Sequence, residues 1–346
     1  TKAEHAKRRE RHAGKNRLAP QLSLAEAREN RARLDFEQRA PAPEFQGCRT
    51  RDIPIAELVD YIDWMPFFNA WEFAGRFPDI LEDEIVGDAA SALYHDAREM
   101  LDTLLADEWL KARAVVGLFP AVADGDDLCL FRDMARKDEL ARLHFLRQQR
   151  AMPDGKPNQC LADFIAPAGA GDDWLGAFAV TAGIGADAKV AAFERAHDDY
   201  NAILLKALAD RFAEAGAEYL HARMRREWWG YAADEDLDND ELIAERYRGI
   251  RPAPGYPACP DHTEKATLWR LLNVEQETGI ALSESFAMLP AASVSGWYFA
   301  HPQARYFSVG KIGADQVEDY ARRKGMSVAT VERWLAANLG YDAVAA

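Results

Sequence analysis

An antiparallel α+β fold is predicted for this 346-residue chain by three features: two strand–turn–strand signals and a long helical pattern between them. The apolar runs Ala114–Phe119 and Leu128–Phe131 flank Asp124-Gly125-Asp126, a composition that favours a tight turn between paired strands. Val294–Phe299 and Tyr306–Val309 flank His301-Pro302 and read as a second hairpin. Leu175–Thr181 is a further strand candidate. Hairpins mixed with long helices argue for an antiparallel sheet over a doubly wound one.

The helices follow from spacing. Leu205, Leu208, Phe212, Ala215 and Tyr219 share one helical face within a segment expected to run from Asp187 to Arg226. A helix over Glu264–Thr278 has Asp261 and Glu264 at capping-box spacing and Gly279 as its stop. Two short helices end the chain, 314–324 before Gly325 and 328–338 behind Ser327. A short helix is expected within 22–34, and Pro41 and Pro43 break the chain after it.

Composition narrows the function classes. The chain is 49% hydrophobic with a net charge of -15, a balance that disfavours nucleic acid or an anionic membrane surface as a partner. The charge is uneven. Residues 1–40 hold 11 basic and 6 acidic residues, so they carry +5 and the remainder -20. The basic stretch 1–18 reads as a linker, and 19–346 as the folded domain. No apolar run is long enough to cross a bilayer, and the charged start holds no signal-peptide core. Cys48, Cys129, Cys160 and Cys259 form no CxxC pair, which fits a cytoplasmic location without a structural zinc site. The start at Thr1 is read as the start of a piece of a longer protein.

Two segments carry chemistry. Gly183-Ile184-Gly185-Ala186-Asp187-Ala188 follows a strand and opens a helix, like a dinucleotide fingerprint. No second strand follows that helix, so a plain strand-to-helix turn is the preferred reading. The richer segment is Arg251–His262, with four prolines between Arg251 and Pro260. Proline fixes φ, so a rigid extended loop is expected, one that loses little entropy on binding a ligand. Arg251 offers a guanidinium fork suited to a carboxylate, Gly255 allows close approach, and Tyr256 offers an aromatic face. An arginine simply paired with a nearby acid is the alternative.

The stretch RPAPGYPACPDHTEK at 251–265 resembles the S-adenosylmethionine-binding signature of the activation domain of cobalamin-dependent methionine synthase. YIDWMPFF at 61–68, VVGLFPA at 115–121, CLADF at 160–164 and HDDYN at 197–201 resemble the same family, as do ESFAMLPAASVSGWYFAHP at 284–302, VEDYARRKGMSV at 317–328 and ERWLAANLGYD at 332–342. The resemblance runs in order from about residue 20 to the end.

It implies a curved single α+β domain around a twisted antiparallel sheet flanked by long helices. It also implies a module that binds S-adenosylmethionine and gives its methyl group for reductive methylation of inactive cobalamin, supporting methionine synthesis. A module that only senses the ligand and controls the parent enzyme's conformation is the alternative. By the resemblance, Arg251 holds the methionyl carboxylate, and Ala253, Gly255 and Tyr256 line the ligand. Asp63 meets its polar end, Tyr306 and Phe307 its adenosine part, and Glu214 and Glu245 its sulfonium side.

Each has a plainer reading. Asp63 caps a turn, Glu214 pairs with Arg211, Glu245 is solvated, and Tyr306 is a strand core residue. His262 either faces the cobalamin or serves the helix start. No catalytic acid, base or metal ligand is expected. The cobalamin would be carried by a neighbouring domain, because the cobalt-ligating DxHxxG motif is missing here. The implied partners are that domain and a flavodoxin-like or similar electron donor. Arg322, Arg323 and Lys324 either form a docking patch for such a donor or complement a helix C-terminus.

Overall fold

The expected first hairpin is the centre of the fold. In a computed structural model, which describes residues 22–37 and 39–343, strand β2 (Lys111–Asp124) turns at Gly125-Asp126 into β3 (Asp127–Phe131). The expected linker, residues 1–18, lies outside the described residues. The long β2 pairs along its first part with both β1 (Gly47–Ile53) and β5 (Trp174–Ile184), and along its last part with β3. β4 (Glu139–His144) extends the sheet beyond β3. Two residue pairs, Ala281–Leu282 (β6) and Met288–Leu289 (β7), form a small separate ribbon. β8 (Ser293–Tyr298) closes the main sheet against β5. Every ladder is antiparallel, so the fold is α+β as expected.

Side chains of β2 alternate between two cores, as the period of a strand requires. Ala112, Ala114, Val116 and Leu118 enter the larger core, while Val115, Phe119 and Ala121 enter the other. Helix α1 (Leu24–Glu29) lies at the start, with the short helices α2 (Ile55–Leu58) and α3 (Met65–Ala70) after β1. The 20-residue α4 (Gly87–Ala106) buries Ala90, Leu93, Ala97, Leu101 and Leu104 in the larger core.

The helix expected over 187–226 is two helices, α5 (Ala186–Arg195) and α6 (Asp199–Arg223). His197 takes φ 59°, and the Asp198 side chain accepts from Asn201 N to start α6 anew. The chain therefore reverses within HDDYN, and α6 lies across β5 and β8. The glycine loop before α5 serves that turn. Gly185 has φ 96°, and a Cβ there would stand 2.4 Å from the Trp109 carbonyl oxygen. β5 has antiparallel neighbours on both sides, so no βαβ unit exists to hold a dinucleotide.

Beyond α7 (Asn239–Ile243), the helix expected over 264–278 is broken at Asn273, φ 52°, into α8 (Glu264–Leu272) and α9 (Val274–Thr278), ending at Gly279. The expected capping box does not form. Asp261 accepts instead from the backbone and hydroxyl of Thr263, and Glu264 is drawn into a buried ion pair with Lys324. α10 (Ala314–Lys324) stops at Gly325 as expected. α11 (Val328–Trp334) is capped by Ser327 but ends before 338. These helices form a third small core with Leu146, Val309 and Ile312.

The second expected hairpin is overturned. Val294–Phe299 forms β8, but Tyr306–Val309 adds no strand. The free edge of β8 is already taken: Trp297 N donates to Pro252 O, and Ile250 bridges Phe299 in both directions. The 306–309 segment packs over the proline-rich loop, where Val309 N donates to Pro257 O at 2.9 Å.

The cysteines are all free, and Cys259 is buried, as a packing residue would be. No helix among the described residues is long and apolar enough to cross a membrane.

Candidate functional site

The proline-rich loop folds tightly. The expected extended run is a pair of turns, with Tyr256 N donating to Ala253 O, Gly255 N to Cys259 O and Cys259 N to Tyr256 O. Gly255 needs its lack of a side chain twice over. Its φ is 97°, and a Cβ would stand 2.2 Å from the His262 ring. His262 thus backs the loop. Burial lowers its pKa, and its Nδ1 has no hydrogen-bond partner among the described residues.

Two neighbouring cavities open where this loop meets α6. One, of about 330 Å³, is lined by Glu214, Glu245, Arg251, Ala253, Tyr256, Tyr306 and Phe307, with Phe178, Val294 and Ser295 from the sheet at its floor. The other, of about 300 Å³, is lined by Tyr61, Asp63, Arg211, Glu218, Asn239 and Tyr247. It shares Glu214, Glu245 and Arg251 with the first. Eight of the nine residues expected to bind the ligand therefore line two neighbouring cavities, and Gly255 is the ninth, in the loop beneath. A larger cavity of about 490 Å³, walled by residues 31–37 and Arg39, lies elsewhere and contains none of them.

Arg251 is the centre of the site. Its side chain is 21% exposed, and its Nη1 lies 2.5 Å from Glu218 Oε2 and 3.2 Å from the Tyr247 hydroxyl. Its backbone N–H donates to the Tyr306 hydroxyl at 3.0 Å, and that hydroxyl lies 3.2 Å from the one on Tyr247. Burial opposes its charge, but Glu218 together with Tyr247, Tyr306 and Glu214 outweighs it and raises the guanidinium pKa. Nε and Nη2 make no hydrogen bond among the described residues, so two donors remain for a ligand.

The plainer readings fare differently. Asp63 does cap a turn, its Oδ1 accepting from Met65 N at 3.0 Å, yet it also lines the second cavity. Glu214 makes no ion pair with Arg211, which pairs with Asp210. Burial raises its pKa, opposed by Arg211 and Arg251. Glu245 is exposed at the rim with φ 55°, a backbone region uncommon for glutamate. Tyr306 is not a strand residue. It is 37% exposed and Tyr256 59%.

Glu218 was missed by sequence reasoning, although it is the residue that pairs with Arg251. Arg211, Glu214, Glu218 and Arg225 recur on one face of the helix in α6 and its continuation, and that charged stripe was the available signal.

The docking patch at 322–324 is overturned. Arg323 pairs with Asp319 and Asp127 and donates to Phe145 O, and Lys324 is buried against Asp261 and Glu264. Only Arg322 is exposed, with its side chain at 73%.

The fold and site define a small-molecule-binding domain whose cleft combines one anchored arginine with several carboxylates, a pattern for a ligand carrying both signs of charge. Residues 54–325 match the family described as vitamin B12 dependent methionine synthase, activation domain, and the chain belongs to that family. It is similar to the crystal structure of the MetH reactivation domain bound to AdoHcy, at 56% identity and a TM-score of 0.90, over 93% of this chain and 100% of that one.

Proposed function

We propose that this chain binds S-adenosylmethionine across the two neighbouring cavities and presents its methyl group to a cobalamin held by a neighbouring domain of methionine synthase. The observation that carries this reading is the half-used guanidinium of Arg251, which lines the same cavity as Asp63, Glu214 and Glu245. S-adenosylmethionine presents a carboxylate to such an arginine, and an ammonium and a sulfonium to such acids.

The free donors of Arg251 take the carboxylate in a charge-assisted pair. Asp63 meets the ammonium end. Glu214 and Glu245 balance the sulfonium, and the rise in the Glu214 pKa marks a carboxylate that gains from a nearby cation. Tyr306 and Phe307 receive the adenosine, with Ala253, Gly255 and Tyr256 as the loop wall. His262 stands behind Gly255 and supports that wall.

The sulfonium is already an activated leaving group, so the residues here act by binding, orienting and excluding water, and no side chain need move a proton. The cobalamin of the neighbouring domain supplies the nucleophile. Reduction of that cofactor falls to a flavodoxin-like or similar donor. Arg323 and Lys324 are committed to internal pairs, so such a donor docks on another surface. A cytoplasmic location accords with four free cysteines.

Calorimetric titration tests binding, and single-turnover methylation of the added reduced cobalamin domain tests donation. Saturable binding with methyl transfer is expected. Binding without transfer would make the chain a sensor of the ligand, and absence of binding would refute the assignment outright.

A further inference from the structure

Behind Arg251 lies a line of buried charge that the binding reading does not use. Glu218 is 8% exposed, on the inner face of α6. Its Oε2 takes Arg251 Nη1 at 2.5 Å, and its Oε1 stands 3.7 Å from Arg225 Nη1. Arg225 is fully buried. Its Nε pairs with Glu235 Oε2 at 2.5 Å, and its guanidinium lies 4.5 Å from the centroid of the Tyr247 ring. Tyr247 in turn gives its hydroxyl to the Arg251 and Tyr306 cluster. Glu218 is thus the only carboxylate within ion-pair distance of Arg251 among the described residues, and it stands between two guanidinium groups.

A long arginine left to itself loses rotamer freedom on binding, whereas one already fixed by a partner does not. The partner must also leave donors unused. Glu218 engages Nη1 alone, while Nε and Nη2 stay without partners among the described residues. We propose that Glu218 is a positioning residue for the carboxylate end of the ligand: it fixes the Arg251 guanidinium through Nη1 so that its remaining donors meet the ligand ready-oriented. Arg225, 3.7 Å from the other carboxylate oxygen of Glu218, offsets its charge without a hydrogen bond to it. This inference rests on the binding reading above and adds a residue that acts through Arg251, although Glu218 also borders the second cavity.

Three measurements test it. Glu218→Gln keeps the side-chain shape and removes the charge, and its fold is checked by circular dichroism. Affinity for S-adenosylmethionine should fall about tenfold or more, while affinity for methylthioadenosine, which lacks the amino-acid end, should hold within about twofold. In an Arg251→Ala background the same change should have no further effect on either ligand, because coupled residues show their interaction in such a cycle. Equal losses for the two ligands, a loss that persists without Arg251, or no loss at all would each overturn the role. If Glu218→Gln does not fold, Glu218→Asp replaces it, with a smaller loss confined to S-adenosylmethionine expected.

A third readout needs no ligand. The nitrogen-15 resonance of Arg251 Nε, assigned through its disappearance in Arg251→Ala, should broaden or shift in the Glu218 variant as the guanidinium is released. An unchanged resonance would refute the positioning, whereas a wild-type chain that binds neither compound would refute the binding reading and leave this signal to decide the other.

Discussion

The cleft around Arg251 and the cluster around Lys324 are both dense in charge and sit at opposite ends of one proline-rich segment, yet they differ in valence. Lys324 Nζ reaches Asp261 at 2.6 Å, Glu264 at 2.7 Å and the Thr263 hydroxyl at 2.5 Å, and Asp261 also accepts from Tyr320. Nearby, Arg147 is held by Asp126 and Asp163, and Arg323 by Asp127 and Asp319. Almost every donor there has an acceptor, and the side chains are shut from solvent. Arg251 instead keeps two donors unused beside an open space, near Asp63, Glu214 and Glu245, which have no ion-pair partner among the described residues. Charge density alone does not mark a binding site. Unsatisfied charge beside a cavity does.

The largest loss of stability is expected at Lys324. Lys324→Met should destabilise the fold by ~3–5 kcal/mol, because Asp261 and Glu264 would remain buried without their cation. Chemical denaturation measures it, and the folded fraction should bind ligand nearly as the parent does. A large loss of affinity with unchanged stability would show that the two clusters have each other's roles.

Arg251→Ala should do the reverse. Affinity for S-adenosylmethionine should weaken by ~2–4 kcal/mol, since the ligand's carboxylate loses its counterion in a partly dry site. Glu218 would also be left to Arg225 alone, so some loss of stability is expected, smaller than at Lys324. Unchanged affinity in calorimetry would remove Arg251 as the anchor.

The sequence carried part of this contrast. The β2–β3 hairpin was legible because Asp124-Gly125-Asp126 is a local turn signal, and the loop's glycine and arginine stood out for equally local reasons. What failed was tertiary. Tyr306–Val309 has a strand's composition, but the β8 edge it would need is occupied by Ile250 and Pro252. Arg323 and Lys324 look like a surface run in a linear reading. Yet Val317, Tyr320, Ala321 and Lys324 share one helical face, and that phase was enough to place Lys324 inward. The role of Glu218 depends on a residue 33 positions away, so its charged helical stripe could announce importance but not a partner.

The glycine loop at 183–185 lies outside both clusters. Gly185→Ala must bear a positive φ and a close carbonyl, so a destabilisation of ~1 kcal/mol or more is expected, with ligand affinity unchanged. Saturable NAD binding that disappears in this variant would restore the dinucleotide reading.

The smallest expected effect concerns protons. Burial raises the Glu214 pKa above the ordinary glutamate value, against the pull of Arg211 and Arg251. A carboxyl raised in the folded state favours folding below its unfolded pKa, and that contribution is lost as pH rises through the folded value. Ligand binding runs the other way. A sulfonium beside Glu214 favours the ionised form, so binding should release a fraction of a proton in the window from the ordinary glutamate range up to the raised value. Affinity should therefore decline on acidification through that window, by no more than about tenfold per pH unit, since one proton is involved. Calorimetry near pH 5 in buffers of different ionisation enthalpy would count the proton. The Lys324 cluster, being saturated and out of reach of ligand, should contribute none of it. Glu214→Gln should abolish the release and leave a flat profile, and a release that survives in that variant would assign the proton to Asp63 or Glu245 instead.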